Sequence, residues 1–259
     1  RLDYFAFQNL SMKQHTLNRL EKQTRHAVLA HPSFVKKGYL IEDMKYLSNY
    51  KLMEVLNGFR ISTAHWDMAL SNGHLVYLIG NDDSHNVTDI TDVATRFTMI
   101  NAPENEAEQL LLALENGNAV GVDFPINREE TLEQKIQRLN KNLPYITQVD
   151  LNDDTLLISA SKLISKIKFI GQDGKELFAQ KNVNTAMYVV RPEDRYVRSE
   201  LNFNDGTTLY LNPITRHENE EIIKQRLDEI NYPKTIILWT VYAALILFVC
   251  YKVLSRRKK

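Results

Sequence analysis

The sequence predicts an α/β domain, then a small antiparallel β domain, then one membrane-spanning helix. Three observations predict this order. Short apolar strands alternate with helices in the first part of the chain, strands separated by turns dominate the next part, and an uncharged apolar run lies near the C-terminus. The chain has 259 residues, 44% of them hydrophobic, which is enough to bury a core in each domain. The predicted boundaries are 1–144 for the α/β domain, 145–216 for an antiparallel β-sandwich-like domain, 217–233 for a linker helix, 234–254 for the membrane helix and 255–259 for a basic tail.

Strands and helices alternate in the first domain. The predicted helices are 12–26, 41–50, 64–70 and 105–115, and the predicted strands are 26–30, 52–56, 75–79 and 97–100. Nearly continuous apolar strands with short connections are typical of parallel βα units covered on both faces. The carboxyl ends of such strands meet at one edge, where binding and catalytic residues gather.

The second domain consists of short strands with turn signals between them. The predicted strands are 156–160, 166–170, 187–190, 196–201 and 208–211. Asp173-Gly174 and Asp205-Gly206 are typical hairpin turns, so these strands are predicted to pair antiparallel. The charged helix that follows carries apolar residues spaced to pack on a partner.

The C-terminal apolar run predicts a membrane anchor. Ile236–Tyr251 contains no charged residue, and flanking residues extend it to spanning length. A buried helix of a soluble protein is the alternative. The basic residues 256–259 favour the membrane helix and, by the positive-inside rule, predict a cytoplasmic C-terminus. The soluble domains would then be periplasmic or extracellular, and membrane lipid would contact the helix.

Charge and cysteine content exclude some classes of function. Lys and Arg total 32 and Asp and Glu total 32, so no concentrated basic surface for nucleic acid is indicated. Cys250 is the single cysteine, which excludes an intramolecular disulfide. The chain begins at Arg1 without a Met or a signal-peptide pattern, which indicates a processed or incomplete product.

Polar residues that could bind a ligand follow the predicted parallel strands. His31 follows the first strand, Glu54 and Asn57 lie at the end of the second, and Asp83 and His85 follow the third. Imidazole and carboxylate at one sheet edge can converge on a divalent metal, and a one-residue spacing lets Asp83 and His85 project toward the same cleft. For Asp83 and His85 the alternative is a turn-stabilising aspartate and a solvated histidine, and for His31 it is a hydrogen-bonded structural residue. Glu54 and Asn57 are either substrate or outer ligand-sphere residues, or purely structural ones.

These residues also belong to a wider similarity. The chain resembles the PHP (polymerase and histidinol phosphatase) metal-dependent phosphoesterases over roughly residues 27 to 215. The matching segments are His31-Pro32, Tyr50–Gly58, Trp66-Asp67, Asn81–His85, Ala102-Pro103, the helix from Leu110 to Asn118, Tyr196–Arg198 and Leu211–Ile214. They occur in the order in which the family has them.

The resemblance implies a distorted (βα)7 barrel with two or three divalent ions, manganese, iron or zinc, and a metal-bound hydroxide that attacks a phosphate ester. It implies that His31, Asp83 and His85 are metal ligands, and it assigns no catalytic side chain. The family's opening His-Xaa-His does not occur in residues 1–30, so the chain matches the C-terminal part of the barrel. Either the first part lies upstream or on a separate chain, or this polypeptide is not a folded enzyme by itself. The other histidines are predicted to be solvated: His15, His26, His65, His74 and His217.

Three hypotheses follow from the sequence. The first is a membrane-anchored phosphoesterase that hydrolyses phosphomonoesters or phosphodiesters. The second is a catalytically inactive PHP-like module that binds other membrane or envelope proteins. The third is an unrelated α/β domain with chance matches. Metal content separates the first two.

Overall fold

The protein has a mixed α/β fold with two sheets and one long C-terminal helix. A computed structural model describes residues 9–34, 38–215 and 232–256. The helices are α1 (Leu10–Glu21), α2 (Thr63–Ser71), α3 (Ala107–Glu115), α4 (Leu132–Asn142) and α5 (Tyr232–Arg256). The strands are β1 (Val28–Leu29), β2 (Leu52–Asn57), β3 (Arg60–Ile61), β4 (Tyr77–Asn81), β5 (Arg96–Ile100), β6 (Ala119–Asp123), β7 (Ile146–Asn152), β8 (Thr155–Gly171), β9 (Lys175–Val189), β10 (Tyr196–Phe203) and β11 (Thr208–Thr215).

The first sheet contains the parallel strands that the sequence predicts. β2 is its central strand, buried at every position, and pairs in parallel with β1 and β4. β3 returns from β2 as a short hairpin, with Asn57 opposite Arg60. In the described residues, parallel pairing is confined to β1, β2 and β4, so the predicted (βα)7 barrel is not confirmed.

The second sheet is antiparallel and has seven strands. Its order is β5-β6-β11-β10-β8-β7, and β9 pairs with β8. The sequence pattern places the strand at 97–100 among the parallel units, but β5 pairs antiparallel with β6. This sheet therefore takes strands from both sides of the predicted boundary at residue 144. That boundary stays a prediction.

Several local predictions differ from the structure. β6, α4 and β7 were not predicted, and β8 and β9 are much longer than the short strands expected there. The helix expected over 41–50 is a 3-10 helix, Ile41–Lys45, and Asn49 adopts a left-handed φ of 65° just beyond it. Residues 216–231 and 257–259 lie outside the described residues, and with them nearly all of the predicted linker helix and the end of the basic tail.

The two sheets approach closely at two glycines. A Cβ on Gly80 of β4 would lie 2.8 Å from the carbonyl oxygen of Phe97, and one on Gly121 of β6 would lie 2.4 Å from Leu78 Cδ1. Gly80 therefore allows β4 to lie against β5, where its N–H donates to Thr98 Oγ1 over 2.8 Å. Its role is close packing, because a larger residue would collide with backbone.

A buried ion pair joins α2 to the antiparallel sheet. Arg198 of β10 donates from Nε and Nη2 to the two carboxylate oxygens of Asp67, over 2.6 and 2.8 Å. Tyr196 donates its hydroxyl to the same carboxylate over 2.9 Å. Burial raises the pKa of Tyr196, which keeps this hydroxyl protonated. Both charged partners are almost fully buried, so Asp67 depends on Arg198 for compensation, while Arg198 also pairs with Glu200 through Nη1 over 2.6 Å.

The C-terminal helix is long and apolar enough to cross a membrane. The candidate span is Pro233–Ser255, with 23 residues and a mean hydropathy of 2.1. At 1.5 Å per residue this span is about 35 Å long, which matches the hydrocarbon thickness of a bilayer. Near its start, Trp239 contacts His15 of α1, with ring centroids 5.2 Å apart.

Replacing Asp67 with Ala should strongly destabilise the protein. The change leaves the Arg198 guanidinium buried without its main counterion, and we expect the free energy of unfolding to fall by about 3–5 kcal/mol. Chemical denaturation of the full chain in detergent measures it. The control is Glu176→Ala, which removes an exposed ion pair with Lys166 and should cost less than about 1 kcal/mol. Equal losses in the two variants would contradict this account of the α2 contact.

Candidate functional site

The sequence-predicted site residues all lie at the carboxyl edge of the first sheet. His31 follows β1, Glu54 and Asn57 lie in β2, and Asp83 and His85 follow β4. β1 and β4 flank β2 and run parallel to it, so their ends reach the same edge. The sheet thus places these residues as the strand pattern predicts.

Glu54 lies buried in the central strand, next to this edge. It is 3% exposed, and its carboxylate accepts three hydrogen bonds. Oε2 accepts from the backbone N–H of His31 over 2.6 Å, and Oε1 accepts from the side-chain amides of Asn57 and Asn81 over 2.9 and 2.7 Å. These donors come from the ends of three adjacent strands. Glu54 therefore holds the three strand ends in one arrangement.

Asn57 and Asn81 extend this network to Asp83. Asn57 Nδ2 donates to Asp83 Oδ2 over 3.1 Å, and Asn81 Oδ1 accepts from the backbone N–H of Asp83 over 2.6 Å. Asp83 adopts a left-handed φ of 49°. Its other oxygen, Oδ1, accepts no hydrogen bond from the described residues, so it is the oxygen that could bind a ligand.

One ring nitrogen of His85 has no hydrogen-bond partner among the described residues. Nδ1 lies 2.7 Å from the backbone oxygen of Asp83, and because a carbonyl can only accept, Nδ1 carries the hydrogen. In the neutral ring Nε2 then keeps its lone pair, the form in which histidine binds a metal. The ring also packs edge-on against Phe59, with centroids 5.7 Å apart. Asp83 and His85 are thus linked directly.

Two aspartates fold the loop that carries Asp83 and His85. Asp82 accepts from the backbone N–H groups of Ala94, Thr95 and Arg96. Asp92 accepts from the backbone N–H groups of His85 and Asn86 over 2.7 and 2.6 Å, with a longer bond from the Ser84 hydroxyl. The N–H groups of Asn86 and His85 lower the pKa of Asp92. The loop is therefore folded by its own side chains.

Lys135 of α4 holds the other side of the same loop. Its side chain is fully buried, and Nζ donates to the carbonyl oxygens of Ile90 and Val93 over 2.8 and 2.6 Å. Burial lowers the pKa of Lys135. A buried ammonium held by carbonyl groups fixes the position of the loop relative to α4.

The structure does not assemble a complete metal site from the described residues. In residues 9–34, 38–215 and 232–256, no three His, Cys, Asp or Glu side chains are grouped to hold a metal ion. Both oxygens of Glu54 are occupied by N–H donors. The ring of His31 packs against Phe34, with centroids 5.2 Å apart. The ligand roles of His31, Asp83 and His85 stay predictions.

Two of the other histidines are buried rather than solvated. His65 and His74 each place Nε2 about a hydrogen-bond length from a backbone carbonyl, that of Tyr39 at 2.9 Å and that of Tyr50 at 3.0 Å. Burial lowers the pKa of His65. Both histidines serve to satisfy carbonyl groups of the core, so the prediction that they face solvent is wrong.

Sequence reasoning missed the residues that build the loop. Asp82 directly precedes Asp83, and two consecutive aspartates at the end of a strand could have indicated that one of them folds the loop. Asp92 and Lys135 carry no such local signal, because their partners lie elsewhere in the chain. Arg60 was also missed, although it closes the hairpin that begins at Asn57.

Comparisons with known proteins give one similar structure. No protein-family model and no curated protein matches the chain. A solved structure of a two-domain protein from Bacteroides vulgatus ATCC 8482, which contains a predicted PHP-like metal-dependent phosphoesterase, is 15% identical, with a TM-score of 0.36. The similarity covers 81% of this chain and 67% of that chain.

Glu54→Gln should loosen the sheet edge. The substitution keeps the size of the side chain but turns an NH₂ group toward one of the N–H donors, so we expect a loss of about 1–3 kcal/mol in the free energy of unfolding. We also expect faster hydrogen exchange at the amide of His31. The control is Glu42→Gln, which alters an exposed ion pair with Lys45. Unchanged exchange at His31 in Glu54→Gln would contradict the role given to Glu54.

Proposed function

We propose that this chain supplies the Asp83 and His85 edge of a divalent-metal centre in a membrane-anchored phosphoesterase. The observation that carries the proposal is the linked geometry of these two residues. Asp83 Oδ1 and His85 Nε2 are both free of partners in the described residues, while Asn57 Nδ2 binds the other carboxylate oxygen of Asp83 and Asn81 Oδ1 binds its backbone N–H. A carboxylate oxygen and a neutral imidazole nitrogen held in this way suit a divalent ion.

The donor chemistry fits the metals that the family resemblance implies. Histidine nitrogen and aspartate oxygen bind manganese, iron and zinc alike, so two or three such ions form part of the proposal. His31 is the third proposed ligand, at the neighbouring strand end. The described residues do not complete the set, so the proposal requires further ligands from other residues. Bound metal would supply an activated water and neutralise the charge of a phosphate ester.

Within the proposal, the other site residues hold the ligands. Glu54 and Asn57 either contact the substrate or hold the metal ligands in place without binding the metal themselves. The hydrogen bond from Asn57 to Asp83 Oδ2 supports the second of these roles. This bond holds the carboxylate of Asp83 through Oδ2 and leaves Oδ1 without a partner in the described residues.

The C-terminal helix is the proposed anchor. Its length and apolar composition support a single membrane crossing, with lipid around Pro233–Ser255. The basic residues from Arg256 onward favour the cytoplasmic side for the C-terminus, which would place the two sheets in the periplasm or outside the cell. The phosphate ester substrate would be found there.

A catalytically inactive module is the second candidate. It is favoured by the lack of three grouped metal-binding side chains in the described residues, and by the use of both Glu54 oxygens in hydrogen bonds to N–H groups. In this case the same sheet edge would be a structural framework, and the protein would act by binding other membrane or envelope proteins.

Metal content and hydrolysis should both depend on Asp83 and His85. We expect the full-length protein in detergent to retain two or three transition-metal ions, measured by inductively coupled plasma mass spectrometry. Asp83→Asn and His85→Gln should lose metal and slow the hydrolysis of p-nitrophenyl phosphate or bis(p-nitrophenyl) phosphate by at least about a hundredfold, since the ion provides several kcal/mol of charge stabilisation.

The matched control is Glu176→Gln, which neutralises an exposed carboxylate on β9. It should keep the metal content and the rate of the unaltered protein. Protein that remains free of metal after reconstitution with manganese, iron and zinc salts would contradict the phosphoesterase and support the inactive module. Normal turnover in both Asp83→Asn and His85→Gln would show that the ligand assignment is wrong.

A further inference from the structure

Arg60, at the same sheet edge, has an N–H donor without an acceptor among the described residues. Arg60 is directly opposite Asn57 in the β2–β3 hairpin, so the two side chains leave the same face of the strands. Its Nε is shielded from solvent, yet it has no hydrogen-bond partner among the residues that the structure describes. A buried donor of a charged group that remains unpaired is costly. This donor is therefore available to an acceptor from a ligand.

The guanidinium of Arg60 is held near His31 by an aromatic ring. Its Cζ lies 5.8 Å from the ring centroid of Phe34, and that ring packs against the ring of His31. An arginine over an aromatic face keeps its N–H groups available at the edge of the contact. Arg60 thus faces the side of the site that carries His31.

A serine pair provides a second donor beside Arg60. Ser62 follows two residues after Arg60, and its hydroxyl donates to Ser33 Oγ over 2.8 Å. The hydroxyl of Ser33 is therefore used as an acceptor, and its own hydrogen is free to donate. Ser33 lies two residues after His31, so this hydrogen is also presented on the His31 side of the edge.

Among the residues that the structure describes, Arg60 forms no ion pair with a carboxylate. Glu54 is occupied by three N–H donors, and Asp123 pairs with another arginine, Arg96, over 3.1 Å. Arg96 also donates to the backbone oxygen of Asn57, and through these two bonds it joins the two sheets. In the part of the chain that the structure describes, the positive charge of Arg60 is therefore available to a ligand at this edge.

We propose that Arg60 and Ser33 form an oxyanion-binding subsite beside the predicted metal ligands, and that its occupant is the phosphoryl group of a phosphate ester. The guanidinium is a planar array of donors that matches two oxygens of a phosphate, and the Ser33 hydroxyl takes a third. The identity of the ligand as a substrate rests on the proposed function. The anion site itself rests on the geometry of Arg60, Phe34, Ser33 and Ser62.

Binding of inorganic phosphate tests the subsite. Full-length protein in detergent is treated with chelator, dialysed, and titrated with phosphate by ³¹P nuclear magnetic resonance. We expect saturable binding, weakened about tenfold or more by Arg60→Gln and to a smaller degree by Ser33→Ala. Arg195→Gln removes an exposed arginine between β9 and β10 and is the charge-matched control, with unchanged affinity expected.

The outcomes separate the subsite from the enzymatic proposal. If phosphate binding depends on Arg60 but the protein holds no metal and hydrolyses no ester, the subsite is supported and the proposed phosphoesterase activity is contradicted. Hydrolysis that depends on Asp83, together with an unchanged KM and unchanged phosphate binding in Arg60→Gln, would support the enzyme and overturn the subsite. Absence of saturable phosphate binding in the unaltered protein would also overturn it.

Discussion

The buried carboxylate of Glu54 is the constraint on which the first sheet's functional edge depends. A carboxylate inside a protein needs full compensation, and in the described residues no cation pairs with this one. Compensation comes instead from three N–H donors that belong to His31, Asn57 and Asn81. Because these donors follow or end three neighbouring strands, none of the strand ends can move without leaving a polar group unpaired.

The exposed loop beyond β4 is also held by hydrogen bonds between charged side chains and backbone groups. Asp82 and Asp92 bind backbone N–H groups, and the ammonium of Lys135 binds two backbone carbonyls. Asp83 and His85 are thus held in position although they lie near the surface. A site ordered before its ligand arrives loses less conformational entropy on binding, which favours a role in recognition.

The sequence predicts the parallel strands and their polar ends because both signals are local. Apolar runs that stop at His31, Asn57 and Asp83 need no knowledge of distant residues. The pairing of β5 could not be predicted in this way, since Phe97 to Ile100 reads alike in parallel and antiparallel sheets. The contact of Lys135 with Val93 spans 42 residues, and that of His65 with Tyr39 spans 26. Such contacts depend on tertiary packing, so the burial of these side chains had no local signal.

The most direct measurement is an anomalous diffraction map from crystals of the full-length protein soaked in a zinc salt. The account predicts an anomalous peak bonded to Asp83 Oδ1 and His85 Nε2 at about 2.0–2.2 Å, with Glu54 still bound to its three N–H donors. A peak that lies elsewhere, or a Glu54 carboxylate that has left its donors to bind the ion, would contradict the account in which Glu54 holds the strand ends and Asp83 and His85 bind the metal.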